Sequence, residues 1–138
     1  MTLATKSVRE AMSKRVVTVD LDVTLAEIKS IFDQAHFHHV VVLDAGKLVG
    51  VISDRDVLKC LSPFVGTLSE RTVDVQTLQR RAHQIMSRKP IFTHPDTSLK
   101  QAVDTMLQKQ VSCLPVIEKE QLVGIITLRD IVKALAVC

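Results

Sequence analysis

The sequence has no tryptophan and no tyrosine, and four phenylalanines are its only aromatic residues besides histidine. Binding of single-stranded nucleic acid leans on base-stacking aromatics, so that partner is poorly provided for. The net charge is only +3, and the 18 Lys and Arg are dispersed along the chain. No basic stripe marks a nucleic-acid interface. The cysteines are three, Cys60, Cys113 and Cys138, odd in number and far apart, which excludes a disulfide framework and a zinc ribbon. No apolar run approaches the roughly 18 residues of a membrane span, so no membrane partner is expected. Residues 1–7 lack the basic patch and apolar stretch of an export signal, and the default location is cytoplasmic. Glycine and proline are scarce, at four each.

What is present is apolar and patterned. Of 138 residues, 46% are hydrophobic and 24% charged, enough apolar surface to offset the entropy of ordering one compact domain or two tightly joined halves. Sliding the chain against itself gives one dominant offset, 74, which aligns residues 8–61 with 82–135 without a gap and with 14 of 54 pairs identical. Met12/Met86, Ser13/Ser87, Gly50/Gly124, Arg55/Arg129 and Asp56/Asp130 are among them. A repeat of this length is one supersecondary unit used twice, with residues 62–81 as a connector.

Each copy changes period in the same order. Val16–Val19 reads as a short strand. Leu25, Ile28, Ile31, Phe32 and Ala35 then recur at helical spacing, opened by Thr24-Leu25-Ala26-Glu27 in capping-box form. The second copy answers with Ser98-Leu99-Lys100-Gln101 and with Leu99, Ala102, Val103, Met106 and Leu107. Val40–Leu43 and Leu48–Ile52 are β-branched runs joined through Asp44-Ala45-Gly46-Lys47, a hairpin signal, whereas the matching turn Glu118-Lys119-Glu120-Gln121 has no glycine. A last helix carries Val57, Leu58 and Leu61, matched by Ile131, Val132 and Leu135. Each copy is therefore β-α-β-β-α, and the fold class is α/β in the mixed α+β sense. A unit of about 54 residues is marginal alone, so the two are expected to pack sheet to sheet with pseudo-two-fold symmetry. Ser62-Pro63-Phe64-Val65-Gly66 reads as a helix stop. Val75, Leu78 and Ile85 hint at a helical turn leading into the second copy, and the connector is given no chemistry.

The most specific local signal is Gly50-Val51-Ile52-Ser53-Asp54-Arg55-Asp56, mirrored by Gly124-Ile125-Ile126-Thr127-Leu128-Arg129-Asp130. A strand runs out, a hydroxyl residue sits at a helix start, and an aspartate follows on the first turn. Such a carboxylate only accepts hydrogen bonds and suits the vicinal hydroxyls of a ribose, while the hydroxyl and the N–H groups of the helix start suit a phosphate. The same Ser/Thr-x-x-Asp is equally a capping-box variant that needs no ligand. Both readings stay open on the motif, and the glycine before it would permit close backbone approach.

These residues, with Met12-Ser13, Met86-Ser87 and Leu114-Pro115-Val116-Ile117, resemble the tandem cystathionine-β-synthase (CBS) domain pair, or Bateman module, over residues 8–61 and 82–135. The resemblance implies a regulatory module whose inter-repeat clefts bind adenosine ligands such as AMP, ADP, ATP or S-adenosylmethionine, and which pairs as a disc-like homodimer. Carried over by position, the ribose-binding aspartates fall on Asp56 and Asp130, their hydroxyl partners on Ser53 and Thr127, and the strand residues bordering the nucleoside on Val51 and Ile125. The basic positions that reach phosphate fall on His38 and His39 in copy one, where Val41 replaces the proline, and on Ser112 and Cys113 in copy two.

The histidine run Ala35-His36-Phe37-His38-His39 is not read as a metal site, because adjacent strand residues point to opposite faces and no other ligands accompany them. His38 and His39 stand between solvated side chains and phosphate contacts. Arg55, Arg129, Lys59 and Lys133 recur on the last helix, whose first turn lies beside the proposed phosphate seat. No catalytic set emerges: Ser53 has no triad partners, and Cys113 reads as a buried thiol. The expectation is a module that does no chemistry, requires no cofactor, takes an adenosine nucleotide as regulatory ligand and acts on an effector protein in trans. The alternative is a purely structural dimerisation module.

Overall fold

The computed structural model describes residues 3–34 and 37–136. Ala35, His36 and Cys138, singled out above, lie outside them. Seven helices and six strands follow in the order α1 Val8–Ala11, β1 Thr18–Val19, α2 Leu25–Gln34, β2 His39–Asp44, β3 Lys47–Ser53, α3 Asp54–Cys60, α4 Thr72–Gln76, α5 Ala82–Ile85, β4 Ser87–Arg88, α6 Leu99–Lys109, β5 Cys113–Glu118, β6 Gln121–Thr127 and α7 Leu128–Ala136. The class is mixed α+β, with two copies that each carry a sheet and helices.

The two compact units do not coincide with the two copies in the sequence. One is continuous, Val17–Lys89; the other is discontinuous and joins the chain up to Val16 to the chain from Pro90 onward. The leading segment of each copy therefore folds with the body of the other. In the continuous unit the sheet order is β1-β2-β3-β4, with β1 parallel to β2 and the remainder antiparallel. In the discontinuous unit β5 and β6 form the hairpin, and single bridges stand where the outer strands would be: Thr93 parallel to Val116, and Ser13 antiparallel to Ile125.

Register repeats at the offset of the sequence. His39 faces Ser53 and Val42 faces Gly50, as Cys113 faces Thr127 and Val116 faces Gly124, and the ladder slips after Val42 as it does after Val116. The turns repeat too. Ala45 and Gly46 have φ of 51° and 80°, and Lys119 and Glu120 have φ of 51° and 66°. Two positive φ values are what a right-twisted two-residue hairpin demands, so the second turn holds two non-glycine residues in a conformation that glycine adopts without strain.

The cores are equivalent position by position. Leu25, Ile28, Val40, Val42, Ile52 and Val57 fill one with Ala82 and Ile85 of α5. Leu99, Ala102, Leu114, Val116, Ile126 and Ile131 fill the other with Val8 of α1. Each helix start is closed by the exchanged segment: Leu25 N–H donates to Arg80 O at 2.7 Å and Leu99 N–H to Lys6 O at 2.9 Å. Thr24 and Ser98 cap α2 and α6 by accepting from Glu27 N–H at 3.3 Å and Gln101 N–H at 3.1 Å.

The apolar positions of the last helices are only half used for the core: Val57 and Ile131 are buried, whereas Leu58 is 73% exposed, Val132 63% and Leu135 46%. Leu107 on α6 is likewise 71% exposed. Helical spacing reports which residues are apolar, and here the stripe is wider than the surface available to cover it. The connector places Val75 and Leu78 on helical turns. It holds α4 and a 3-10 turn, Thr77–Gln79, around a buried carboxylate. Asp74 accepts from Ser62 Oγ at 2.7 Å and from Arg71 N–H at 2.8 Å. The Ser62 hydroxyl, followed by the Arg71 amide, holds this carboxyl below its ordinary range.

Candidate functional site

Strand β3 ends at Ser53, and the chain turns directly into α3. Ser53 sits at φ −95° and ψ 164°, extended, as an N-cap requires. Its Oγ accepts from Asp56 N–H at 3.1 Å, and Asp56 Oδ2 accepts from Ser53 N–H at 2.8 Å. The second corner repeats this at the end of β6. Asp130 Oδ2 accepts from Thr127 N–H at 2.9 Å and from Thr127 Oγ1 at 3.1 Å, and Thr127 Oγ1 accepts from Asp130 N–H at 3.3 Å. Reciprocal caps of this kind contribute roughly 0.5–2 kcal/mol each. The capping role of the motif is thus met without a ligand. All of these carboxylate bonds fall on Oδ2; Oδ1 takes part in none of them, and both aspartates are half-buried.

The other residues singled out gather at the same corners. Val51 is half-buried on β3 beside Ser87, and Ile125 is buried on β6 beside Ser13. The glycine preceding each has a reason other than ligand approach. A Cβ at Gly50 would collide with the Met86 thioether, and one at Gly124 would lie 2.7 Å from Ser13 O and 2.9 Å from Met12 Sδ. The close neighbour is the exchanged segment, whose backbone itself approaches Gly124. Arg55 and Arg129 are exposed on the first turns, and Lys59 and Lys133 are exposed further along α3 and α7.

The corners differ in their polar surroundings. His38 Nδ1 lies 2.9 Å from Asp54 Oδ2, and His38 O accepts from Asp54 N–H at 3.0 Å. The imidazole contact holds the Asp54 carboxyl below its ordinary range. His39, directly across from Ser53, is more buried, and that burial pushes its imidazole down. At the second corner these places belong to Ser112, Leu128 and Cys113, with Leu128 N–H donating to Ser112 O at 3.1 Å. Cys113 is a buried thiol. Among the described residues no group of His, Cys, Asp and Glu is placed to hold a metal ion.

Sequence reasoning missed two elements of this arrangement. Asp54 has no counterpart in the second copy, and its only signal is His38, which lies just ahead of the facing strand β2. The Met-Ser segments were seen as identities, but nothing in them told which strand they would cover.

A doubled α+β unit, each copy closing a hairpin into a helix through a hydroxyl N-cap and an aspartate, defines a tandem-repeat module. The family model for the CBS domain matches residues 8–63 and 82–137; the chain belongs to the CBS domain family. It is 29% identical over 125 residues to the CBS domain-containing protein YhcV of Bacillus subtilis, covering 91% of this chain and 82% of that protein. It is 30% identical over 131 residues to a CBS domain-containing protein of Dictyostelium discoideum, covering 93% and 90%. The crystal structure of the CBS domain pair of protein MJ0100, in complex with 5′-methylthioadenosine and S-adenosyl-L-methionine, superposes with a TM-score of 0.78 over 95% of this chain and 96% of that one. At 24% identity that likeness is one of fold. Among the described residues no helix is long and apolar enough to cross a membrane.

Proposed function

We propose that the chain is a regulatory module that binds an adenosine-containing ligand, AMP, ADP, ATP or S-adenosylmethionine, at its two strand-to-helix corners and conveys occupancy to an effector protein in trans as a homodimer. The observation that carries this reading is the repetition, at one register, of an aspartate anchored through Oδ2 with Oδ1 outside the cap. An anchored carboxylate has its rotamer fixed in advance, which lowers the entropic cost of accepting hydrogen bonds from a ribose diol. Asp56 and Asp130 would hold the sugar, Ser53 and Thr127 its edge or a phosphate, and Val51 and Ile125 would border the base. Arg55 and Arg129 are the nearby cations available to phosphate, and His38 and His39 the nearby imidazoles able to hydrogen-bond to it. The ligands bound to the MJ0100 pair support the adenosine class, and the similarity to CBS domain-containing proteins supports a regulatory rather than catalytic role.

Completeness of the caps favours a second reading, in which the aspartates serve helix starts alone and the module is an interaction scaffold. Thermal denaturation with adenosine, AMP, ATP and S-adenosylmethionine separates the two. A ligand at 100 times its dissociation constant stabilises the fold by about 2.7 kcal/mol. The variants Asp56→Asn and Asp130→Asn keep an acceptor for the cap amide while removing charge and acceptor capacity from the diol seat. On the ligand reading the two substitutions combined abolish the ligand-induced shift with little change in baseline melting. If no adenosine compound moves the melting temperature, the scaffold reading stands.

A further inference from the structure

Positive charge is spread along the chain except in one stretch. Residues 80–89 hold Arg80, Arg81, Arg88 and Lys89 with no Asp or Glu, a local +4 in a chain whose total is +3. All four residues are exposed and belong to the continuous unit Val17–Lys89. Among the described residues none of the four is ion-paired to a carboxylate, whereas Arg9, Lys29, Arg71 and Lys100 all are.

Two of these cations are held in place by main chain instead of by acidic side chains. Arg81 Nη1 donates to Asp22 O at 2.6 Å, and Arg88 Nη2 donates to His83 O at 3.2 Å. His83 N–H donates in turn to Leu21 O at 3.2 Å, next to Asp22, so both guanidiniums are fastened where α5 packs on residues 21–22. A carbonyl takes up one of a guanidinium's five donors and none of its charge. What remains is an oriented fork of N–H groups, the shape that a carboxylate matches with two parallel bonds.

Charge complementarity calls for an anionic partner, and the surroundings choose its kind. The cations stand as two pairs, Arg80-Arg81 before α5 and Arg88-Lys89 after it. No aromatic residue lies in 80–89 for bases to stack on. Exposed Asp22 and Asp20, joined by a 2.8 Å bond from Asp22 N–H to Asp20 Oδ1, border the patch. A continuous phosphate backbone meets repulsion there, and a short run of spaced carboxylates does not.

We propose that the surface of Arg80, Arg81, Arg88 and Lys89 docks an acidic segment of a partner protein. Arg88 pairs with Gly50 on β3, the strand that leads into the Ser53 corner, so the docked segment lies beside that corner. The inference rests on the reading of an effector in trans and not on the nucleotide, and it is tested with no nucleotide present.

Fluorescence anisotropy of the full chain is read with a labelled peptide of alternating glutamate and glycine, and with an oligothymidylate of equal length. The peptide is expected to bind with a Kd below about 1 mM and to weaken as salt is raised. The combined variant Arg80→Gln, Arg81→Gln, Arg88→Gln and Lys89→Gln should lose at least about tenfold in affinity. The combined variant Lys14→Gln, Arg15→Gln, Lys109→Gln and Lys119→Gln removes the same charge elsewhere and should lose less than about twofold. Losses of one size in both variants, or a peptide that does not bind, would overturn the proposal. Tighter binding of the oligothymidylate overturns it too and assigns the surface to nucleic acid. Should the first variant not fold, Arg80→Gln with Lys89→Gln decides, since neither side chain is hydrogen-bonded among the described residues. A loss of at least about threefold is then expected, and an unchanged affinity refutes the docking. Melting shifts with adenosine compounds report on the corners separately, so their absence overturns the ligand reading while a bound peptide still upholds this one.

Discussion

The corner at Ser53 and the corner at Thr127 are built on one backbone and set in different chemical surroundings. Register, ladder slip, turn shape and reciprocal cap agree throughout. Besides the exchange of Ser53 for Thr127 within the cap, the chemical differences lie in side chains that the shared hydrogen bonds do not use: His38, His39 and Asp54 against Ser112, Cys113 and Leu128. The scaffold is fixed by main-chain bonds and packed glycines in both copies, and the rims around it differ in charge. One corner thereby carries two imidazoles and a carboxylate that the other lacks, while each keeps its aspartate and the adjacent arginine.

The comparison is broken most forcefully at the glycines. Gly124→Ala sets a methyl against the Ser13 carbonyl, which is main chain and cannot swing aside, so urea denaturation should show a loss of about 3 kcal/mol. Gly50→Ala meets only the Met86 side chain, which can move, and should cost about 1 kcal/mol. Equal losses would mean that the two contacts are alike. Next come the caps. Asp56→Ala and Asp130→Ala should each cost about 1 kcal/mol with no ligand present, read by the same denaturation, and a difference between them would separate what the Thr127 hydroxyl adds.

A smaller effect separates two matching backbone positions. Lys89 holds a left-handed backbone, so Lys89→Gly should stabilise by up to about 1 kcal/mol. Arg15, its counterpart, has no positive φ, and Arg15→Gly should destabilise by about 0.5 kcal/mol. The smallest effect is in pH. His39 has its pKa lowered by burial from 6.5, so the unfolded chain takes up this proton first and stability falls as pH drops below that value. Asp54, lowered from 3.8 by the His38 contact, contributes stability that is complete above that value and lost as pH falls through the lowered one. His39→Cys, which installs the residue of the second corner, should flatten stability between pH 7.5 and 5 on the order of the small effects of half-exposed charges. An unchanged slope would show that the histidine environments are energetically alike.

Much of this molecule could be read from its residues. The offset of 74, the hairpins, the helix starts and the Ser53–Asp56 and Thr127–Asp130 pairs all follow from patterns within a few residues of one another. The exchange could not be read, and the reason is physical. Met12 and Met86 are identical, as are Gly50 and Gly124, so either methionine fits either glycine and only the path of the chain decides which pairs form. The exposed stripe of Leu58, Val132 and Leu135 was hidden for a related reason, since periodicity shows a greasy face without saying what covers it. Asp74 was passed over because its partners, Ser62 and Arg71, are polar residues in a stretch without period.

The swapped leading segments also bear on what a half-length chain could do. A polypeptide with one copy would present a methionine hook that its own body does not hold and a bare glycine groove where a hook belongs. Two such polypeptides would satisfy each other by trading hooks, and a single one would stay unfinished. Reciprocity of this sort makes the smallest self-sufficient object a couple, whether its members are fused in one gene or meet by diffusion.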